Sequence, residues 1–246
     1  MTPPRRRLGR AALACAACLL VLWTRPAAGA DDAASRPAAG RFPVGYRLME
    51  APREGGMLLI ALWYPARSAG QPTSYPLPGG TMHAGATRDA APAEGPFPLV
   101  IFSHGGGACA TSGAVFAEEL AADGFVVAAP DHDDEFIACR SDGSLPPDSR
   151  RTVEWFRWAA SVSAGRCKTK FEHRPRDVAA TIDAVLAAGR AAEGDLRGLV
   201  DPNRIGATGV SFGAWTTLVV GGAIPAYRDE RLRAVAPIAG PAREPA

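Results

Sequence analysis

The sequence predicts an α/β protein built on a mostly parallel, doubly wound sheet. From Pro98 onward, strand-length apolar runs alternate with helical stretches, and the strand runs are apolar at every position, not every second one. A strand that is apolar throughout is buried on both faces, as in a parallel sheet covered by helices on either side. In addition, a serine flanked by glycines falls between one such strand and the helix that follows it. That places the candidate chemistry at the carboxyl edge of the sheet.

The first thirty residues stand outside this pattern. Arg5, Arg6 and Arg7 precede the apolar run ALACAACLLVLW (12–23), and AGA at 28–30 offers small residues for cleavage near Ala30. This is the layout of an export signal, and the run is short for a membrane-spanning helix. An uncleaved amino-terminal anchor is the alternative. The arginine pair loosely resembles a twin-arginine signal, and Cys15 and Cys18 lie in the run without a convincing lipoprotein box. The formal net charge is +2, from 27 basic and 25 acidic residues. The leader holds five arginines and no acid, so 22 basic residues face 25 acidic ones in the remainder, a net charge of −3. No basic patch with interleaved aromatics remains, which argues against a nucleic-acid partner. The expected location is periplasmic or extracellular, with no stable membrane span after cleavage.

Residues 31–41 form a loose, Ala/Asp/Ser/Pro-rich lead-in, and 42–246 read as a single domain without internal repeats. MLLIALWYP (57–65) is a strand ended by Pro65. Residues 66–98 are rich in Pro, Gly, Ser and Thr and are expected to be a long surface loop. PLVIFS (98–103) is the next strand. Ser112 is a candidate cap for the helix in GAVFAEELAADG, which Gly124 ends. FVVAAP (125–130) is a strand. In RPRDVAATIDAVLAAG (174–189), Val178, Ile182, Val185 and Leu186 share one helical stripe, with Pro175 in the first turn. DPNR (201–204) is an expected turn. IGATGV is a strand, FGAWTTLVVGG a helix and AVAPIA (234–239) a final strand. Residues 131–173 interrupt the rhythm as a cap-like insertion carrying Trp155, Phe156 and Trp158. Those rings either line an acyl or aryl pocket or pack an amphipathic helix onto the sheet.

Three cysteines follow the leader: Cys109, Cys139 and Cys167. In an exported chain an odd number suggests one bridge and one remaining thiol. Cys139 and Cys167 bracket the same polar segment and are the expected pair, although spacing does not fix connectivity. Cys109 reads as a small buried residue, not a nucleophile.

GVSFG contains Gly209, Ser211 and Gly213, and it directly follows a strand and opens a helix, as a nucleophile elbow requires. The serine is then lifted from the backbone in a tight turn, and the flanking glycines leave room where strand and helix crowd together. A serine that merely caps the helix is the plainer alternative. FSHGGG (102–107) ends another strand, and its glycines let backbone N–H groups approach an oxyanion. The oxyanion donors are assigned to the N–H groups of Gly106 and Phe212, with His104 and Gly105 supporting the loop. DHDDE (131–135) holds one histidine among acids; it reads as a solvated turn, and no metal or cofactor is expected.

LWYP, PLVIFSHGGG, LAADGFVVAAPDH, RPRDVAATIDAVL and DPNRIGATGVSFGAW occur in the order seen in bacterial dienelactone-hydrolase-like proteins, and the set also resembles platelet-activating-factor acetylhydrolases. The resemblance spans roughly 42–240. It implies an α/β-hydrolase fold, no cofactor, and hydrolysis of a carboxylic ester or related acyl compound, whether small-molecule, lipid or polymer. Relatives often read GHSFGG at the elbow, where this chain has Val210 and Ala214. The fold orders its triad Ser, then acid, then His, yet no histidine follows Ser211 and Ala239 stands near one expected place for the acid. His83, His132 and His173 all lie upstream, with His132 alone at the correct sheet edge. The 246 residues therefore read as an incomplete hydrolase, truncated after the strand that follows the elbow helix. Without the triad histidine, turnover is expected to fall by on the order of a millionfold. The rival reading is an inactive remnant acting at most as a binding protein.

Overall fold

The computed structural model describes residues 41–134, 137–145, 150, 151, 153, 154, 157 and 171–240. The expected export signal, all but the last residue of the lead-in, and Trp155, Phe156, Trp158 and Cys167 lie outside the described residues.

Eight strands are described: β1 (Val44–Arg53), β2 (Gly56–Pro65), β3 (Pro72–Leu77), β4 (Gly80–Arg88), β5 (Phe97–Ser103), β6 (Val126–Pro130), β7 (Val200–Val210) and β8 (Leu232–Ile238). The α-helices with described bounds are α1 (Ala114–Ala122), α2 (His173–Arg190) and α3 (Phe212–Leu218). The strands form one mixed sheet in the order β3-β4-β1-β2-β6-β5-β7-β8. β6, β5, β7 and β8 are mutually parallel and form the predicted doubly wound part. β2 joins them antiparallel to β6.

Alternate residues of each central strand serve opposite faces of the sheet. Leu58, Ile60 and Leu62 of β2 and Leu99 and Ile101 of β5 meet Val178, Ile182, Val185 and Leu186 of α2, the stripe read from the sequence. Ala61 and Trp63 of β2, with Val127 and Ala129 of β6, meet Ala114, Ala117 and Ala121 of α1 on the other face. Burying each large aliphatic side chain contributes roughly 1.5–3 kcal/mol. Two faces, each covered by a helix, fix which ends of the strands stay open for a site.

The segment 66–98 is not a plain loop. It contains the β3–β4 hairpin, closed by a turn in which Gly79 adopts φ +95°. Pro72 and Pro76 hide it from a propensity reading, but proline is tolerated in an edge strand, where N–H groups need no partner. Tyr75 anchors the hairpin: it is fully buried, accepts from Trp63 Nε1 at 3.0 Å and donates to Glu118 of α1 at 2.6 Å. β1, which the sequence reading did not assign, pairs with β2 along its whole length.

Other boundaries shift locally. Ser112 sits in a 3₁₀ turn (Ala110–Gly113) ahead of α1, its hydroxyl accepting from the Cys109 N–H at 3.3 Å. Gly124 follows α1 at φ +92°, the left-handed conformation that stops a helix. The expected turn at 201–204 is instead an irregularity within β7: Phe97 pairs with Val200 and Leu99 with Ile205. β8 closes one edge of the sheet, and Val235 and Ile238 stand about 40% exposed there, at 41% and 40%.

Candidate active site

Ser211 occupies the junction of β7 and α3 with φ +56° and ψ −115°, a strained conformation for a residue bearing a Cβ. Its N–H donates to the Ile238 carbonyl of β8 at 3.0 Å, and its side chain is exposed. The flanking glycines are dictated by close backbone approach. A Cβ on Gly213 would stand 1.8 Å from the Ser103 carbonyl oxygen, and one on Gly209 2.6 Å from that oxygen and 2.5 Å from the Gly213 oxygen. The end of β5 thus presses directly on the elbow. The loop leaving β5 crosses beside the serine: a Cβ on Gly105 would lie 3.8 Å from Ser211 Cβ. Ser211, Phe212, Gly209, Gly213, His104, Gly105 and Gly106 are therefore assembled at the carboxyl edge of β5 and β7.

His104 does not face the serine as a base. Its Nδ1 lies 2.7 Å from the Gly105 carbonyl, and its Nε2 accepts the His132 backbone N–H at 3.1 Å. Nδ1 therefore carries the proton, and the ring is neutral with both nitrogens engaged. Burial, reinforced by the neighbouring Arg174 cation, pulls its pKa well below the ordinary histidine value. In a trans peptide C=O and N–H point in opposite directions. Holding the Gly105 carbonyl against His104 therefore turns the Gly106 N–H away from that ring. Among the described residues no backbone hydrogen bond engages the Gly106 N–H.

Beneath this loop lies a buried polar network. The Ser103 hydroxyl is 3.0 Å from His132 Nε2, and His132 Nδ1 is 2.8 Å from Asp177 Oδ2. Burial, then the Arg174 charge, drives the His132 pKa well down, so the pair with Asp177 is a neutral imidazole donating to a carboxylate. Asp177 is itself raised by burial and held in check by Arg53. Fully buried Arg174, from the first turn of α2, donates from Nη1 to the His104 carbonyl at 2.8 Å and forks onto Asp134. Burial works to raise the Asp134 pKa, but the Arg174 guanidinium overcomes it and holds the carboxyl far below its ordinary range. His173 Nε2 lies 3.0 Å from Asp134, and His83 is exposed on β4. Among the described residues, no histidine bonds to Ser211.

DHDDE is not the expected solvated turn: Asp131, His132 and Asp134 are buried, and the described acids have separate partners. Asp131 is buried and accepts from the Ala110 N–H and the Ser141 N–H, each at 2.7 Å. Asp133 takes Arg53 and Arg140, and Asp134 takes Arg174. The expected bridge between Cys139 and Cys167 is corrected: Cys139 is bonded to Cys109, with Cα atoms 5.5 Å apart. The Asp131 hydrogen bonds bring the two segments together, since Asp131 binds Ala110 beside one cysteine and Ser141 beyond the other. The bridge ties the segment after the glycine loop to the segment after β6.

Phe212 stacks on Trp215 with ring centroids 5.4 Å apart, and Phe171 stands edge-on to it at 4.4 Å. The sequence reading missed Arg174, Asp177, Phe171 and Trp215 as parts of the site. One sign was available: Arg174 and Asp177 are charged residues on the same buried side of α2 as Val178.

Comparison with known proteins agrees with this architecture. Residues 79–151 match the model of platelet-activating factor acetylhydrolase, isoform II. The chain is 28% identical over 145 residues to platelet-activating factor acetylhydrolase of Gallus gallus, a match covering 50% of this chain and 34% of that protein. A ferulic acid esterase from Streptomyces cinnamoneus superposes with a TM-score of 0.52 at 21% identity, over 82% of this chain and 60% of the esterase. A dienelactone hydrolase-like promiscuous phosphotriesterase from metagenomic libraries gives a TM-score of 0.46 at 16% identity, over 80% and 60% of the two chains. The fold is that of the α/β-hydrolases, and the chain spans about a third of the length of the curated relative it matches.

Proposed function

We propose that the protein is an exported serine hydrolase that cleaves carboxylic esters, with Ser211 as nucleophile. The observation that carries this reading is the strained, exposed Ser211 beside Gly105 of a loop whose next N–H, that of Gly106, makes no backbone hydrogen bond among the described residues. In the reaction, Ser211 Oγ bonds to the acyl carbon while its proton passes to a base. The carbonyl oxygen takes the negative charge, held by the Gly106 and Phe212 amides. Collapse expels the alcohol, which takes the proton, and water then releases the acid by the same steps. Among the described residues no histidine bonds to Ser211: His104 and His132 are engaged in the core, His173 lies against Asp134 and His83 stands on β4. Export rests on the leader pattern, and the acyl group belongs to a small-molecule, lipid or polymer ester.

A fluorophosphonate probe tests the reading. The full-length protein should be labelled at Ser211, as located by peptide mass spectrometry, and the Ser211→Ala variant should not. Absence of labelling in the full-length protein would favour the rival, an inactive hydrolase remnant that binds without turnover.

A further inference from the structure

We propose that Arg174 is a positioning residue that sets both halves of the oxyanion hole at once. The inference rests on the assignment of Ser211, Gly106 and Phe212 above and adds the element that aligns them. Arg174 is fully buried at the start of α2, yet it reaches two different elements that carry oxyanion donors. Nη1 donates to the His104 carbonyl at 2.8 Å, one peptide before the Gly105 carbonyl that His104 itself holds. Its Cζ lies 4.2 Å from the ring centroid of Phe212, the residue after the nucleophile. Asp134 fixes the guanidinium in plane from a third side, with Nε to Oδ1 at 3.0 Å and Nη2 to Oδ2.

A purely stabilising role accounts poorly for this arrangement. A buried ion pair adds little over a well-packed apolar pair of similar volume, because desolvation offsets most of the attraction. What arginine supplies, and neither lysine nor an apolar side chain can, is a rigid planar fork that bonds edge-on and stacks face-on together. Here the fork holds the backbone leading into the glycine loop, and the cation sits over the ring of Phe212. A displacement of about 1 Å in such donors costs on the order of a hundredfold in rate.

The test uses the full-length protein and p-nitrophenyl acetate, with Arg174→Lys, Arg174→Met and a control, Arg231→Met. Arg231 braces α2 elsewhere, through Asp183 and the Ala179 carbonyl, away from the elbow. Arg174→Lys keeps a cation opposite Asp134 but loses the fork and the stacking face. It should lower kcat roughly 10- to 100-fold with KM changed less than about threefold. Arg231→Met should leave both constants near wild type. Amide NMR supplies an arm that needs no turnover: the Gly106 and Phe212 N–H resonances should both move in Arg174→Lys and stay in place in Arg231→Met. Unchanged kcat in Arg174→Lys, or Gly106 and Phe212 amides that do not move, overturns the proposal. Wild-type turnover equal to that of Ser211→Ala would instead defeat the hydrolase reading, and the amide shifts would still decide the role of Arg174. If Arg174→Met does not fold, Arg174→Lys carries both arms.

Discussion

His132 Nε2 lies 3.0 Å from the hydroxyl of Ser103, and its Nδ1 lies 2.8 Å from Asp177, so a serine–histidine–aspartate chain exists one strand away from Ser211. The Ser103 side chain is buried and also accepts from Arg174 Nη1 at 3.4 Å. A nucleophile in that position meets no substrate. The chain instead satisfies four polar groups under the glycine loop, in the order arginine, hydroxyl, imidazole, carboxylate. Ser103→Ala should therefore cost about 1–3 kcal/mol in urea unfolding, by leaving His132 Nε2 without a donor. The fluorophosphonate probe should never mark Ser103. Recovery of a labelled Ser103 peptide would contradict the architectural role.

The same burial makes acid stability a property of the histidines. His104 and His132 have folded pKa values pulled well below the ordinary value. Below about pH 6.5 the unfolded chain takes up protons that the folded chain refuses. Stability from these rings is thus present above that pH and declines as pH falls, by up to about 1.4 kcal/mol per unit for each ring. The depressed Asp134 adds its own loss only below the ordinary carboxylate range, while the raised Asp131 and Asp177 act in the opposite sense. Comparison with His104→Asn isolates one imidazole and preserves a donor to Gly105. Between pH 7.5 and 5, its urea midpoint should fall less steeply than that of wild type; equal slopes would refute the assignment.

What the sequence disclosed and what it hid divide along one physical line. The α2 stripe was legible because Val178, Ile182, Val185 and Leu186 recur at the helical period. The elbow was legible because Gly209, Ser211 and Gly213 are neighbours in the chain. The β3–β4 hairpin was hidden by its prolines, and its anchor Tyr75 finds Glu118 a full 43 positions away. Arg174 has Asp134 at a separation of 40 and the His104 carbonyl at 70. No local period records such partners. The reading of His104 as a loop support lay between these extremes: its position before the glycines was visible, while the His132 N–H that fixes its tautomer was not.

The disulfide gives a direct chemical check. A non-reducing digest of the oxidised protein should join the Cys109 peptide to the Cys139 peptide and leave Cys167 outside that bridge. The sequence separation of 30 implies a loop-closure contribution of about 3–4 kcal/mol. The Cys109→Ser/Cys139→Ser double variant should lose roughly that much in urea unfolding. A digest joining Cys139 to Cys167 would restore the pairing expected from spacing.

Backbone strain at the elbow separates the requirements of folding from those of chemistry. Ser211 at φ +56° and ψ −115° is held there by its N–H bond to Ile238 and by the packing of Gly213 against Ser103. Conformations of this kind cost about 1–3 kcal/mol for a residue with a Cβ. Glycine removes that cost but loses roughly 0.5–1 kcal/mol in chain entropy. Ser211→Gly should therefore be about 1 kcal/mol more stable than Ser211→Ala, with both silent toward the probe. Gly213→Ala should go the other way and lose several kcal/mol, because its Cβ would stand 1.8 Å from the Ser103 carbonyl oxygen, which the sheet cannot move. Equal stabilities of the two Ser211 variants would mean that the turn is not strained. A Gly213→Ala protein as stable as wild type would mean that the end of β5 does not press on the elbow.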